Sequence, residues 1–82
     1  MHTIKSNSLT VNVFNCKNNT YGLEFIYENN PKPYVFINIS DNEQHIHVLC
    51  DYLCKNFVSE YHIEEILQDY KSNPNEFISF IS

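Results

Sequence analysis

Leu9, Val11 and Val13 alternate with Thr10, Asn12 and Phe14, the period-two pattern of a strand that buries one face. Lys17-Asn18-Asn19-Thr20 supplies polar residues that tolerate left-handed backbone, as a tight connection requires. A second alternating run follows, with Tyr21, Leu23, Phe25 and Tyr27 set against Gly22, Glu24, Ile26 and Glu28. The two runs predict a hairpin. Asn29-Asn30-Pro31-Lys32-Pro33 breaks the pattern, after which Val35, Ile37 and Ile39 alternate with Tyr34, Phe36 and Asn38 as a third strand. Leu9, Val11, Val13, Leu23, Phe25, Val35, Ile37 and Ile39 then form the expected core face. Phe14, Ile26, Tyr34 and Phe36 fall on the opposite face, which is unusually apolar for a surface meant to meet water.

The period changes after Ser40. Ser40 followed by Glu43 has the spacing of a capping box, and Ile46, Leu49, Cys50, Leu53 and Phe57 recur as one helical stripe. Ser59 is a second cap, opening a helix whose apolar stripe is Ile63, Ile66, Leu67 and Tyr70. Asn73-Pro74 ends it and can open a third element. The tail Phe77-Ile78-Ser79-Phe80-Ile81 suits a helical turn or a short strand, and the underside of the sheet is one place for it to dock. The expected architecture is a single α+β domain over residues 1–82. A three-stranded antiparallel meander carries two amphipathic helices on one face, with a short C-terminal element. Met1 to Thr10 is polar apart from Ile4 and Leu9, and no strand is expected before Leu9.

Charge divides the chain unevenly. Residues 1–39 carry Lys5, Lys17 and Lys32 against Glu24 and Glu28, whereas residues 40–82 carry eight carboxylates against Lys55 and Lys71, so the halves sum to +1 and −6. The chain contains no Arg, the side chain best shaped for bidentate phosphate and guanine contacts. With a net charge of −5, direct nucleic-acid binding is disfavoured. At 82 residues the domain buries only roughly 60% of its unfolded surface, too little to enclose a sizeable substrate. No signal-peptide run and no membrane-spanning stretch is present in the sequence, and three cysteines without framework spacing point to reduced thiols in a cytoplasmic setting.

Two constellations could carry chemistry. His47, Cys50 and Cys54 fall within about 60° of one another on the first helix, so they are a candidate metal set, with Cys16 or His2 as a fourth ligand. Structural zinc sites use close pairs in turns, and none occurs here. The simpler expectation is that Cys50 and Cys54 are small core residues and that no metal or cofactor is needed. A cysteine nucleophile with His45, His47 or His62 as base can be imagined, but Gly22 is the one glycine, so neither a strained elbow nor a phosphate-cradling loop can be built. The expectation is therefore a protein that is not an enzyme.

On the second helix Glu60, Glu64, Glu65 and Asp69 lie away from the apolar stripe. Glu60/Glu64 and Glu65/Asp69 repel at four-residue spacing by roughly 0.2–0.5 kcal/mol each. Such a face is either solvated surface or a negative surface for a basic partner.

Tyr21-Gly22-Leu23-Glu24, Phe36-Ile37-Asn38-Ile39-Ser40-Asp41 and the run from Val58 to Tyr70 resemble a family of small domains of unknown function found in Gram-positive anaerobes, over about residues 20–71. The resemblance implies no activity and no catalytic residues. In architecture and charge the chain is also similar to small acidic phage-encoded anti-CRISPR inhibitors, some of which mimic nucleic acid with carboxylates. That likeness implies a non-catalytic interaction module, an inhibitor or adaptor from a mobile element. Its partner would be a protein with a basic surface, such as one that handles nucleic acid, bound through Glu60, Glu64, Glu65 and Asp69. The alternatives are a small Cys/His metal-dependent regulator and a homodimeric structural protein joined through Phe14, Ile26, Tyr34 and Phe36.

Overall fold

The computed structural model describes residues 2–6, 9–56 and 58–82. Its strands are β1 (His2–Ser6), β2 (Leu9–Asn15), β3 (Tyr21–Tyr27) and β4 (Tyr34–Ser40), followed by helices α1 (Glu43–Lys55), α2 (Glu60–Ser72) and α3 (Pro74–Ile81). The α+β class and the meander at β2–β4 agree with the sequence pattern. The sheet also gains a fourth strand, in the order β1-β2-β3-β4 with every pair antiparallel. β1 is short and polar and lies at an edge, where a strand needs only backbone pairing on one side, so apolar alternation did not mark it. Phe57, assigned to the α1 stripe by spacing, lies outside the described residues, as does the side chain of His2.

Between β2 and β3 the chain turns through a single 3-10 turn at Lys17–Asn19, with Asn18 and Asn19 at φ 63° and 58°. Asn is the residue that reaches this left-handed region most readily after Gly, as the polar tetrad implied. The register pairs Val11 with Phe25 and Val13 with Leu23, so these side chains share the face beneath the helices. Leu9, Val11, Val13, Leu23, Phe25 and Ile39 are buried there against Ile46, Leu49, Cys50, Leu53 and Cys54 of α1 and Ile63, Leu67 and Tyr70 of α2.

β4 departs from the sequence reading. Leu23 pairs with Phe36 and Phe25 with Tyr34, which places Tyr34 and Phe36 on the helix side. The Phe36 ring meets Phe25 edge-on at 5.9 Å, and the Tyr34 ring meets Tyr27 at 6.0 Å. Val35 and Ile37, assigned to the core by alternation, are instead 52% and 59% exposed. From the Leu23–Phe36 pair to the Tyr21–Ser40 pair, β3 advances two residues and β4 four, and Asn38 stands within this bulge at φ 53°. The bulge turns Ile39 inward three residues after Phe36, which a regular strand cannot do. Counting back from Ile39 in steps of two therefore inverts the first half of the strand. The apolar side chains on the open face are Phe14, Ile26, Val35 and Ile37, not Phe14, Ile26, Tyr34 and Phe36.

The helix boundaries also show one correction. Asn42, not Ser40, caps α1: its Oδ1 accepts from the His45 amide at 3.1 Å, while Ser40 Oγ accepts from the Asn42 amide at 3.0 Å. Asn73 and Pro74 open α3 as their residue types imply. The tail helix docks on the helix layer rather than beneath the sheet. Phe77 sets its ring edge-on to Tyr52 and Tyr70, at 6.4 and 6.3 Å.

Gly22 is required by close approach. A Cβ there would stand 2.6 Å from Phe14 Cζ and 2.6 Å from the Phe36 carbonyl oxygen. The phenyl ring lies over the glycine across the strand pair, covering backbone that no side chain protects. Because one of the two obstacles is backbone, rotation of Phe14 cannot relieve the clash. Gly22→Ala should destabilise the domain by about 1–3 kcal/mol, read as a lower urea midpoint with an unchanged slope.

Candidate functional site

α1 lies across the sheet and turns its cysteines into it. Cys50 and Cys54 are fully buried, and their Sγ atoms each point to a β2 carbonyl, Val11 O and Leu9 O, at 3.9 Å. Burial pushes the Cys50 thiol up to about 12, with further contributions from Cys54 and Asp51, and it raises Cys54 in the same direction. A thiol enclosed and held neutral in this way is not poised as a nucleophile at ordinary pH. His47, one turn earlier, is half-buried, and no group of three His, Cys, Asp or Glu side chains among the described residues is disposed to hold a metal ion. Cys16 lies elsewhere, at the β2–β3 connection, where its Sγ accepts from the Asn38 amide at 3.5 Å. The candidate metal set is thus two core residues and one helix-boundary histidine.

His45 and His62 each have a side-chain partner. His45 Nδ1 lies 3.0 Å from the Tyr70 hydroxyl, which donates to Ser40 Oγ at 2.7 Å. This chain ties the start of α1, the second half of α2 and the end of β4 together. Burial raises the Tyr70 hydroxyl, the Ser40 hydrogen bond opposes that rise, and Asp41 adds to it. Sequence spacing could not show the cluster, because its members lie 25 and 30 residues apart. His62 Nδ1 sits 2.8 Å from Ser59 Oγ at the exposed start of α2, so Ser59 occupies the cap position with its hydroxyl turned to His62 rather than to a backbone amide.

The four carboxylates of α2 divide between two flanks. Glu60 and Glu64 lie on the β4 side: Glu60 Oε2 is 3.4 Å from Asn30 Nδ2, and Glu64 joins Lys71, Gln68 and Leu67 along a furrow beside Val35, Phe36, Ile37 and Ile39. Glu65 and Asp69 lie on the far side, where Ser59, His62 and Ile66 line a second furrow. Asp69 is shared with a third, formed with Asn73, Glu76, Phe77 and Phe80 of the α2–α3 junction. At about 100° per residue, positions 60 and 64 border one edge of the buried stripe and 65 and 69 the other. Sequence reasoning included Glu60 and Glu64 in one face and missed Glu76 and Phe80, which only the packing of α3 brings alongside. Phe80 is 82% exposed, and no lysine among the described residues lines the two far-side furrows.

The geometry defines a small α+β domain with a four-stranded meander under three helices. Among the described residues no helix is long and apolar enough to cross a membrane. The chain matches no protein-family model, no curated protein and no solved structure.

Two outcomes follow for the thiols. A thiol-reactive disulfide reagent should label Cys16 promptly and Cys50 and Cys54 only on unfolding. Because the folded state holds Cys50 near 12 against an ordinary value of 9.0, the unfolded chain ionises first. Stability should therefore be intact below pH 9.0 and fall as pH rises toward about 12, read as a declining urea midpoint.

Proposed function

We infer that the protein is a non-catalytic interaction module, an inhibitor or adaptor that binds a basic protein surface through the far flank of α2 and its junction with α3. The observation that carries this reading is the grouping of Glu65, Asp69 and Glu76 along adjoining furrows that no lysine lines and that Phe80 borders. Carboxylates left uncompensated beside an exposed aromatic ring suit a partner that offers cations around an apolar anchor. Charge would then set the rate of encounter and the ring would supply desolvated contact. Glu64 shares its furrow with Lys71, and Glu60 lies against Asn30, so these two are the less suited pair. The burial of the cysteines speaks for a binding role over a metal-dependent regulator.

The test is capture from a lysate of the native cell, comparing the wild type with a Glu65→Gln, Asp69→Asn, Glu76→Gln triple variant and with Phe80→Ser. The triple variant should fold at least as stably, since it relieves repulsion between Glu65 and Asp69 at four-residue spacing. It should lose the partner, and wild-type capture should fade as ionic strength passes about 0.15 M, where the Debye length is about 8 Å. Undiminished capture by both variants would reject this surface.

A further inference from the structure

β4 is the last strand of the sheet, so its outer backbone edge pairs with no strand among the described residues. Val35 and Ile37 project beside that edge, 52% and 59% exposed. An apolar edge of this kind is normally blunted by a charge, a proline or a bulge; the bulge at Asn38 interrupts the end of β4, whereas Tyr34–Ile37 before it carries no charge and no proline. That segment is the part of the edge open to another strand.

The identity of that strand follows from the furrow between β4 and α2. The helix runs parallel to β4: Glu60 meets Asn30 near the start of the strand, and Tyr70 meets Ser40 at its end. Along the furrow the exposed polar side chains come in the order Glu64, Gln68, Lys71, beside Val35 to Ile39. Glu64 and Lys71 lie two helical turns apart, about 10 Å along the axis, with Leu67 and Gln68 at the midpoint. A two-fold axis at Phe36 would set the Tyr34–Ile37 segments of two copies antiparallel, with Val35 of one opposite Ile37 of the other. It would place Glu64 of one copy opposite Lys71 of the other, and the reverse, with Gln68 facing Gln68 at the axis. The pattern is self-complementary, as an isologous contact requires.

We propose that two copies of this chain join edge to edge through β4, forming a continuous eight-stranded antiparallel sheet. Val35 and Ile37 of the two copies become cross-strand neighbours on the open face, where β-branched pairs contribute to pairing. Glu64 and Lys71 close the helix side in two reciprocal ion pairs. A net charge of −5 on each chain opposes association through an arbitrary face, and this seam brings one of its five lysines into register with a carboxylate. The dimer uses the near flank of α2 and leaves the Glu65–Asp69–Glu76 flank free, so it stands independently of the partner-binding reading.

Sedimentation velocity over a concentration series tests it on the full chain. The wild type should show a monomer–dimer equilibrium. Ile37→Lys, at an exposed position that the monomer's core does not use, should weaken dimerisation roughly tenfold or more by setting two ammonium groups against each other at the seam. Glu64→Lys and Lys71→Glu should each weaken it, and the double exchange should restore it, because the reciprocal pairs are then re-formed with reversed sign. A chain that stays monomeric throughout, or a dimer indifferent to Ile37→Lys and to both charge reversals, would overturn the proposal.

Discussion

Asn38, held at φ 53° inside the β4 bulge, decides which surface each apolar residue of the last strand serves. Val35, Phe36, Ile37 and Ile39 are too many large side chains for one face of a seven-residue strand. The bulge sends Phe36 and Ile39 to the helices and leaves Val35 and Ile37 outside. Its left-handed residue is pinned from the β2–β3 connection, where the Asn38 amide donates to Cys16 Sγ and the Thr20 hydroxyl lies 2.7 Å from the Asn38 side-chain oxygen. The Asn18–Asn19 turn, itself left-handed, delivers Thr20 to that position. Two irregular segments 20 residues apart in sequence thus fix each other, and the helix layer is seated on the result through Tyr70 and Ser40.

Much of this was legible from residue order. The strands from Leu9 onward, the breaker at Pro31–Pro33, both amphipathic helices and the Asn73-Pro74 boundary follow from periodicity and local backbone preference, and the structure places them there. What escaped depends on contacts between distant segments. Alternation fails in β4 because almost every position from Tyr34 to Ile39 is apolar, so the pattern has no polar phase to read except Asn38, and Asn38 is the residue that breaks the period. β1 carries too little apolar sequence to register. The helix start moved from Ser40 to Asn42 because Tyr70, 30 residues away, draws Ser40 into the core hydrogen bonding.

The same distinction governs the functional surfaces. Helical spacing placed His47, Cys50 and Cys54 together and also put Cys50 in the apolar stripe, so the burial of both cysteines follows the simpler of the two expectations. Packing against β2 turned the two thiols into the core and raised their pKa. Four carboxylates read as one acidic face became two flanks once β4 claimed one side of α2 and α3 the other. The near flank is mixed in charge and borders an open strand edge, whereas the far flank is acidic and borders Phe80. The two proposed contacts, with a second copy and with a basic partner, would thus fall on opposite sides of a single helix.

The phase of β4 is the claim on which these surfaces rest, and nuclear Overhauser spectra with a soluble paramagnetic agent test it most directly. The account predicts close contacts between the Phe36 and Phe25 rings, which lie 5.9 Å apart, protection of the Ile39 methyls, and strong bleaching of the Val35 and Ile37 methyls in dilute, monomeric protein. Contacts from the Ile37 methyls to Leu49 or Phe25, with the Phe36 ring bleached instead, would show regular alternation through the strand and contradict it.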